Sequence, residues 1–134
     1  NGIIGVRNWE YVKYRYFDHP LGISGEFKRL FLLDAQGDIC AAFFLKEHDQ
    51  CNLIMDIICP FKDITQYILK LSLLLNEVRL KIWITKGWSK TLEVAGIIEN
   101  DLGIEIPSNY WNPGPSSEVL FGAWWLTAGD MDFM

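Results

Sequence analysis

Short apolar runs separated by polar turns fill the chain before Pro60, a pattern typical of β-strands. The runs at 27–33 and 39–45 are rich in aromatic residues, and the polar segment 34–38 connects them. Gly37, near the end of that segment, supplies the positive φ that a tight turn needs, so the pattern predicts a β-hairpin. A second polar turn is predicted at 46–50.

A third strand is predicted at 52–59, and it is apolar on both sides. Strict alternation gives one face made of Leu53, Met55, Ile57 and Cys59. The opposite face then carries Ile54, Asp56 and Ile58. Because strands that are apolar on both faces are usually covered on both, we expect this strand to lie in the middle of a sheet.

The hydrophobic period changes after Pro60 and becomes helical. Apolar residues step by four, three, four and three at Ile64, Ile68, Leu71, Leu75 and Val78. Asp63 stands at the N-cap position, and Gln66 three residues later completes a capping-box pattern. The sequence therefore predicts an amphipathic helix that begins after Asp63.

The remaining elements are predicted from weaker patterns. They are a helix at 9–17, a strand at 80–85, a short helix from Ser89 to Gly96, and strands at 104–106 and 119–126, with the proline-rich segment 107–115 between the last two. A hairpin followed by strand, helix and strand implies an antiparallel sheet that turns partly parallel. We therefore expect an α+β fold of layered α/β type, with a mixed, mainly antiparallel sheet and flanking helices.

Composition adds the size of the domain and the sign of its charge. The chain has 134 residues, enough for a single domain with one core. Half of the residues are apolar and 22% are charged, which excludes a disordered chain. The formal net charge of −5 argues against nucleic acid or an anionic membrane as a partner, since both need a positive field.

The three cysteines, Cys40, Cys51 and Cys59, lack C-x-x-C spacing and lie in or beside apolar runs. Free thiols in such places behave as small hydrophobic residues, and an odd number without a pairing pattern favours a reducing compartment. We therefore expect reduced thiols and a cytoplasmic protein. The opening residues show no signal-peptide pattern, and no apolar run approaches the roughly 18 residues that a membrane span needs.

Candidate chemistry in the sequence is sparse. His19 and His48 lie in predicted turns without further ligands at metal spacing, so no metal site is expected. No serine lies in a G-x-S-x-G string. Asp56 has two interpretations: a structural carboxylate, paired or exposed at an edge, which we favour, or a general base. Of the adjacent Trp124 and Trp125, one is expected in the core, and the other could face a surface or pocket.

Two local strings and the order of elements resemble one known superfamily. Residues 9–20 read WEYVKYRYFDHP, similar to the helix end "W-R-Y-x-x-H-P" of GNAT-like proteins from bacterial gene clusters. Residues 124–132 read WWLTAGDMD, similar to the "W-x-L-T-x-G-D-x-D" terminus of the same group. From Phe27 onward the element order also resembles the later part of the GNAT superfamily, the Gcn5-related N-acetyltransferases.

The resemblance implies the acyl-CoA N-acyltransferase fold and acetyl-CoA as the cofactor. In that reading, the candidate cofactor-binding residues lie at the end of the predicted central strand and at the start of the long helix. The backbone amides of Ile57, Ile58 and Cys59 would hold the acyl carbonyl, and the helix start with Lys62 would hold phosphate.

The sequence departs from the family where the cofactor would bind. Active members carry a Q/R-x-x-G-x-G/A loop between the central strand and the long helix, whereas this chain reads CPFKDIT at 59–65. That segment has no glycine, Pro60 lacks an N–H, and Asp63 places a negative charge near the expected diphosphate. The second predicted helix also has no tyrosine to act as general acid, and the family's opening strand and first helix are not visible.

Three hypotheses follow for residues 1–134 as a single GNAT-like domain. The leading hypothesis is the C-terminal part of a longer acyl-CoA-dependent N-acyltransferase, not catalytic by itself and paired with an N-terminal GNAT-like domain. The second is a divergent but active N-acetyltransferase. The third is a non-enzymatic module that forms a homodimer or another interaction through its aromatic tail.

Overall fold

A computed structural model describes residues 3–4, 7–76, 79–92, 98–103, 116, 119, 124–125 and 127–130. Its strands are β1 (Ile3–Ile4), β2 (Phe27–Leu33), β3 (Ile39–His48), β4 (Cys51–Ile58), β5 (Leu80–Ile82) and β6 (Trp124–Trp125). Its α-helices are α1 (Trp9–Lys13), α2 (Pro20–Ile23) and α3 (Ile64–Leu74). A π-helical turn spans Tyr14–Asp18, and 3₁₀ turns span Phe61–Asp63, Lys86–Leu92 and Ala128–Asp130.

Four of these strands form one mixed sheet in the order β2-β3-β4-β5. The β2–β3 and β3–β4 pairs are antiparallel, whereas β4 and β5 are parallel and are joined through α3. The α+β class, the flanking helices and the parallel pairing predicted for the two strands around the long helix are therefore confirmed. None of the helices in the described ranges is long and apolar enough to span a bilayer.

The two hairpins turn in different ways. In the first, Gly37 has a φ of 90°, and the Asp34 side chain accepts hydrogen bonds from the backbone N–H groups of Gln36 and Asp38. In the second, Asp49 and Gln50 both have positive φ, as a two-residue hairpin turn requires. Strand β3 therefore continues to His48, and the turn consists of Asp49 and Gln50 alone. The prediction of a turn over 46–50 is wrong at its first three residues.

A β-bulge interrupts the central strand and changes the direction of its side chains. Phe44 pairs with Asp56, but the next residue of β3, Leu45, pairs with Ile54, so Met55 is an extra residue in β4. Met55 then packs on the same side of the sheet as Leu53, and Asp56 contacts groups on that side too. The strict alternation predicted for 52–59 is therefore wrong beyond Met55, because one extra residue reverses the later positions.

Side chains on the two faces of the sheet form two cores. The face under α3 is filled by Ala41, Phe43, Leu45, Ile54, Ile57, Ile64, Leu71, Leu92 and Trp125. Helix α1, the π-helical turn and α2, together called the first helical segment, cover the other face. That face is filled by Val12, Tyr16, Phe27, Ala42, Phe44, Leu53, Met55 and Ala128. Both sides of β4 are thus covered, as its composition predicts.

Helix α3 packs on the sheet through the predicted stripe. Leu71 is fully buried, while Ile68 and Leu75 are half-buried against the same core. The helix begins after Asp63, but the Asp63 side chain makes no capping hydrogen bond, so the predicted capping box with Gln66 is wrong. A 3₁₀ turn precedes the helix and supplies its first backbone bonds instead.

Several weaker predictions change in the structure. The strand predicted at 80–85 ends at Ile82, and Ser89 lies inside the 3₁₀ turn Lys86–Leu92, where its hydroxyl donates to the carbonyl of Lys86. The strand predicted at 104–106 lies outside the described residues. Of the strand predicted at 119–126, Trp124–Trp125 is observed as a strand, and it pairs in parallel with β1, which the sequence did not predict.

The first helical segment is fixed to the sheet by ring stacking and by an arginine. The Tyr16 ring stacks on Phe44 of β3 with centroids 4.0 Å apart. Arg29 of β2 donates to the carbonyls of Tyr16 and Gly22. The His19 side chain caps the start of α2, since its Nδ1 accepts from the N–H of Leu21, and at the end of the preceding turn its backbone N–H donates to the Tyr14 carbonyl.

Candidate functional site

The most distinctive polar group in the described part of the chain is a buried arginine between two carboxylates. The Arg7 side chain is 8% exposed, and its Nε lies 2.7 Å from Oδ2 of Asp56, which is fully buried. Its Nη2 donates to both carboxylate oxygens of Asp130, at 2.8 and 2.7 Å. Arg7 therefore joins the start of the first helical segment, the bulge of the central strand and the 127–130 turn.

Asp56 reaches this position because of the bulge at Met55. Its Oδ1 accepts the backbone N–H of Ile57 at 3.0 Å, and its Oδ2 accepts the Tyr16 hydroxyl at 3.3 Å. The Nε–H bond of Arg7 does not point at Oδ2, so that contact is an ion pair rather than an aligned hydrogen bond. A buried carboxylate is stable only with such partners.

The 127–130 turn completes the arrangement from the other end of the chain. The Asp130 carboxylate accepts the N–H of Thr127 at 2.9 Å, and the N–H of Asp130 donates to the Thr127 carbonyl at 3.0 Å. The Tyr11 hydroxyl donates to the carbonyl of Gly129 at 3.3 Å. The Arg7 guanidinium also lies over the Tyr11 ring, 4.9 Å from its centroid.

Burial and the neighbouring charges shift the pKa values of these groups. Burial raises the pKa of Asp56, and the Arg7 guanidinium offsets only part of that rise. Burial alone would lower the pKa of Arg7, but the two carboxylates raise it above its ordinary value. Burial raises the pKa of Tyr11 to about 12, helped by the Asp56 charge, and it raises the pKa of Tyr16 as well. Both phenols therefore stay neutral near pH 7.

This arrangement suits a structural role better than a catalytic one. A general base has to reach the proton that it removes, and the Asp56 side chain is 0% exposed. Both of its oxygens are already engaged by Arg7, Tyr16 and the N–H of Ile57. Asp56 is therefore a paired carboxylate rather than one exposed at a sheet edge.

The candidate cofactor-binding residues lie close together at the end of β4. Ile57 is buried, Ile58 and Cys59 are half-buried, and Lys62 is exposed in the following 3₁₀ turn. The N–H of Ile57 is already donated to Asp56. Burial and the nearby Asp63 charge raise the pKa of Cys59 to about 11, so this thiol is not an activated nucleophile.

The turn between β4 and α3 has fewer free backbone donors than residues. Pro60 has no N–H, the N–H of Asp63 donates to the Pro60 carbonyl at 2.9 Å, and the N–H of Ile64 donates to the Phe61 carbonyl. Of the five residues 60–64, these three therefore have no backbone donor to offer to a ligand.

Aromatic rings fill the space beside this turn. The Phe61 ring lies 4.8 Å from Trp88 and 5.4 Å from Trp125, and the two tryptophan rings are 6.2 Å apart, all centroid to centroid. Trp125 is buried, which confirms that one of the two adjacent tryptophans belongs to the core. A cluster of three aromatic rings, one of them buried, thus lies beside the start of α3.

Comparisons with known proteins add no further assignment. Neither the family models nor the curated proteins nor the solved structures contain a match to this chain. Within the described residues, no group of three histidine, cysteine, aspartate or glutamate side chains is placed to hold a metal ion. The site is therefore interpreted from its own geometry.

Sequence reasoning identified Asp56 but missed its partners Arg7 and Tyr16, and it missed Asp130, the second carboxylate that Arg7 binds. One signal was available: the two strings compared with the GNAT-like proteins, at 9–20 and 124–132, contain Tyr16 and Asp130. The structure brings these two strings together at Asp56. Arg7 had no such signal, because a single arginine before a helix has no pattern of its own.

Proposed function

We propose that the chain is a GNAT-like domain of an acyl-CoA-dependent N-acyltransferase that does not itself grip the cofactor. The observation that carries the proposal is the 3₁₀ turn at Phe61–Asp63. Asp63 in this turn and its neighbours Pro60 and Ile64 offer no backbone N–H to a ligand, at the place where the family's glycine loop binds pyrophosphate.

The order of the strands supports the relationship to the superfamily. An antiparallel hairpin leads into β4, helix α3 crosses over, and β5 returns parallel to β4. The pairing of β4 with β5 stops at Ile54 and Ile82, so β4 continues beyond its partner to Ile58. In the GNAT superfamily the strand after the long helix splays away from the central strand, and the early end of the β4–β5 pairing supports the proposed relationship.

The bulge of the central strand supports the absence of cofactor binding. A divergent enzyme would use the N–H groups of Ile57, Ile58 and Cys59 for the acyl carbonyl. The first of these donates to the Asp56 carboxylate, and that carboxylate would also repel the partial negative charge of a carbonyl oxygen. An acyl group placed there would have to displace an internal hydrogen bond.

The expected loss of affinity is large. Each N–H bond to a charged oxygen contributes roughly 1.5–3 kcal/mol, so losing two costs about 3–6 kcal/mol. That free energy corresponds to a factor of roughly a hundred to ten thousand in affinity. A cofactor that binds at micromolar concentration in a competent domain would then bind at about millimolar concentration or more weakly.

Titration calorimetry of the 134-residue chain with acetyl-CoA tests this proposal. We expect no measurable heat of binding at micromolar concentrations. A matched variant with Lys62→Ala should behave in the same way, since there is no bound phosphate for Lys62 to lose. Low-micromolar binding that collapses when residues 60–63 are changed would instead support the divergent enzyme.

A second candidate, a non-enzymatic interaction module, is favoured by one surface. An open apolar groove of about 320 Å³ lies between the sheet edge and α3, lined by Leu32, Leu33, Cys40, Tyr67, Lys70, Leu73 and Leu74. Leu73 is 80% exposed. Within the aromatic tail, Trp125 is buried in the chain's own core, so this ring is not available for a contact between two copies. Sedimentation of the wild-type chain and of Leu73→Asp would show whether the groove joins two copies.

A further inference from the structure

The chain passes from one face of the sheet to the other between Trp125 and Ala128. Trp125 packs in the core under α3, and Ala128 packs in the core on the opposite face. Three residues span at most about 11 Å, so this crossing is direct and takes place close to β4. Gly129 lies directly against β4 at Met55, since a Cβ atom on Gly129 would be 2.6 Å from the Met55 carbonyl oxygen.

The crossing point lies on the side of β4 that faces β5. Strand β3 flanks β4 as far as Ile58, so a chain cannot pass on that side near Met55. On the other side, the last pair between β4 and β5 is Ile54 with Ile82, and no described residue pairs with β4 on that side beyond Ile54. We propose that the 127–130 turn is a plug that closes this gap between β4 and β5, and that Arg7 is the latch that holds it there.

The charges explain why Arg7 acts as a latch. The Asp56 and Asp130 carboxylates both contact Arg7, and both are largely removed from water. Without the guanidinium, Asp130 would lose its cation, and an ionised Asp56 would face it as a second negative charge across the gap, which is strongly unfavourable. Asp56 is fixed in β4, whereas the Asp130 side chain is 15% exposed and lies in a short turn. Asp130 would therefore move out towards water and take the turn with it.

Gly129 provides a second way to displace the plug without changing any charge. A methyl group at this position would collide with the Tyr16 hydroxyl and with the Met55 carbonyl oxygen. The Met55 carbonyl belongs to the strand and cannot move away like the end of a flexible side chain. Gly129→Ala should therefore displace the 127–130 turn while the Arg7–Asp56 pair remains.

This inference is independent of acetyl-CoA binding, and hydrogen–deuterium exchange of the full chain tests it. The probes are the amides of Thr127 and Asp130, which donate within the turn, and the amides of β3 and β4 as an internal reference. The variants are Arg7→Met, Gly129→Ala and, as a matched control, Lys13→Met, which removes an exposed ion pair with Asp18.

We expect the amides of Thr127 and Asp130 to lose their protection in Arg7→Met and in Gly129→Ala and to exchange at least tenfold faster than in the wild-type chain, while the amides of β3 and β4 stay more strongly protected than those of the turn. Lys13→Met should leave both regions unchanged. A turn that stays as protected as in the wild-type chain, or β3 and β4 amides that exchange as fast as those of the turn, would overturn the proposal. If neither Arg7→Met nor Gly129→Ala folds, the turn is part of the core rather than a plug, and the proposal fails in that case too.

Discussion

The Nε atom of Arg7 lies 2.7 Å from Oδ2 of Asp56, although one residue precedes the first helix and the other sits in the middle of the central strand. Asp56 faces Arg7 because the bulge at Met55 moves it to the side of the sheet that the first helical segment covers. The local geometry of one strand thus determines where the first residues of the chain are anchored.

Removing Arg7 alone should be strongly destabilising. Arg7→Met leaves the Asp56 carboxylate buried without its cation, and breaking a buried pair in this way typically costs about 3–5 kcal/mol. The control Lys13→Met removes an exposed pair in the helical segment that follows Arg7 and should cost at most about 1 kcal/mol. Urea unfolding of both variants measures the difference, and similar losses would show that the buried pair has no special role.

The raised pKa of Asp56 gives the stability a defined pH dependence. The folded pKa lies above the ordinary value of 3.8, so the folded state binds this proton more tightly than the unfolded state does. Its contribution to stability is therefore fully present below the unfolded pKa and is lost as the pH rises through the folded pKa. In Asp56→Asn this titration is absent.

Urea midpoints measured from pH 4 upward in both proteins would reveal this dependence. Relative to Asp56→Asn, the wild-type chain should lose stability as the pH rises. A wild-type chain that instead gains stability over Asp56→Asn across the same range would mean that Arg7 lowers the folded pKa of Asp56 below its unfolded value.

Tyr16 contributes through both its ring and its hydroxyl, and two substitutions separate them. Tyr16→Phe keeps the stacking on Phe44 and loses the hydrogen bond to Asp56, which should cost about 0.5–1.5 kcal/mol. Tyr16→Ala also removes a fully buried ring and should cost about 3–5 kcal/mol. Urea unfolding measures both losses of stability. Equal losses in the two variants would mean that the ring contributes nothing beyond the hydroxyl.

The stripe of α3 can be tested at one buried and one exposed leucine. Leu71→Ala leaves a cavity against the sheet and should cost about 2–5 kcal/mol. Leu73→Ala changes a side chain that is 80% exposed and should alter the free energy of unfolding by no more than about 0.5 kcal/mol. A Leu71 loss as small as that of Leu73 would mean that the helix does not pack through this face.

The sequence predicted those parts of the fold that local periodicity determines. The first hairpin depends on Gly37 and on a polar segment between two apolar runs, and α3 depends on a regular stripe. The parallel pairing of β4 and β5 follows from the length of the crossover between them. All three depend on neighbouring residues, so they can be recognised without the tertiary structure.

The bulge and the charge cluster could not be predicted in the same way. The residues around Met55 are apolar on both faces, so an inserted position leaves no break in the pattern. The capping box predicted from Asp63 and Gln66 does not form, and the helix is instead preceded by a 3₁₀ turn. The contacts of Arg7 with Asp130 join distant parts of the chain, and such pairings depend on packing rather than on spacing.

The most direct measurement for the proposed function follows individual backbone amides while acetyl-CoA is added to the ¹⁵N-labelled chain. The amides of Ile57, Asp63 and Ile64 are the probes, since each is already used in an internal hydrogen bond. We expect their resonances to stay unchanged at micromolar concentrations of acetyl-CoA. Saturable shifts of these three amides at micromolar concentration would contradict the proposal and would favour a divergent, active N-acetyltransferase.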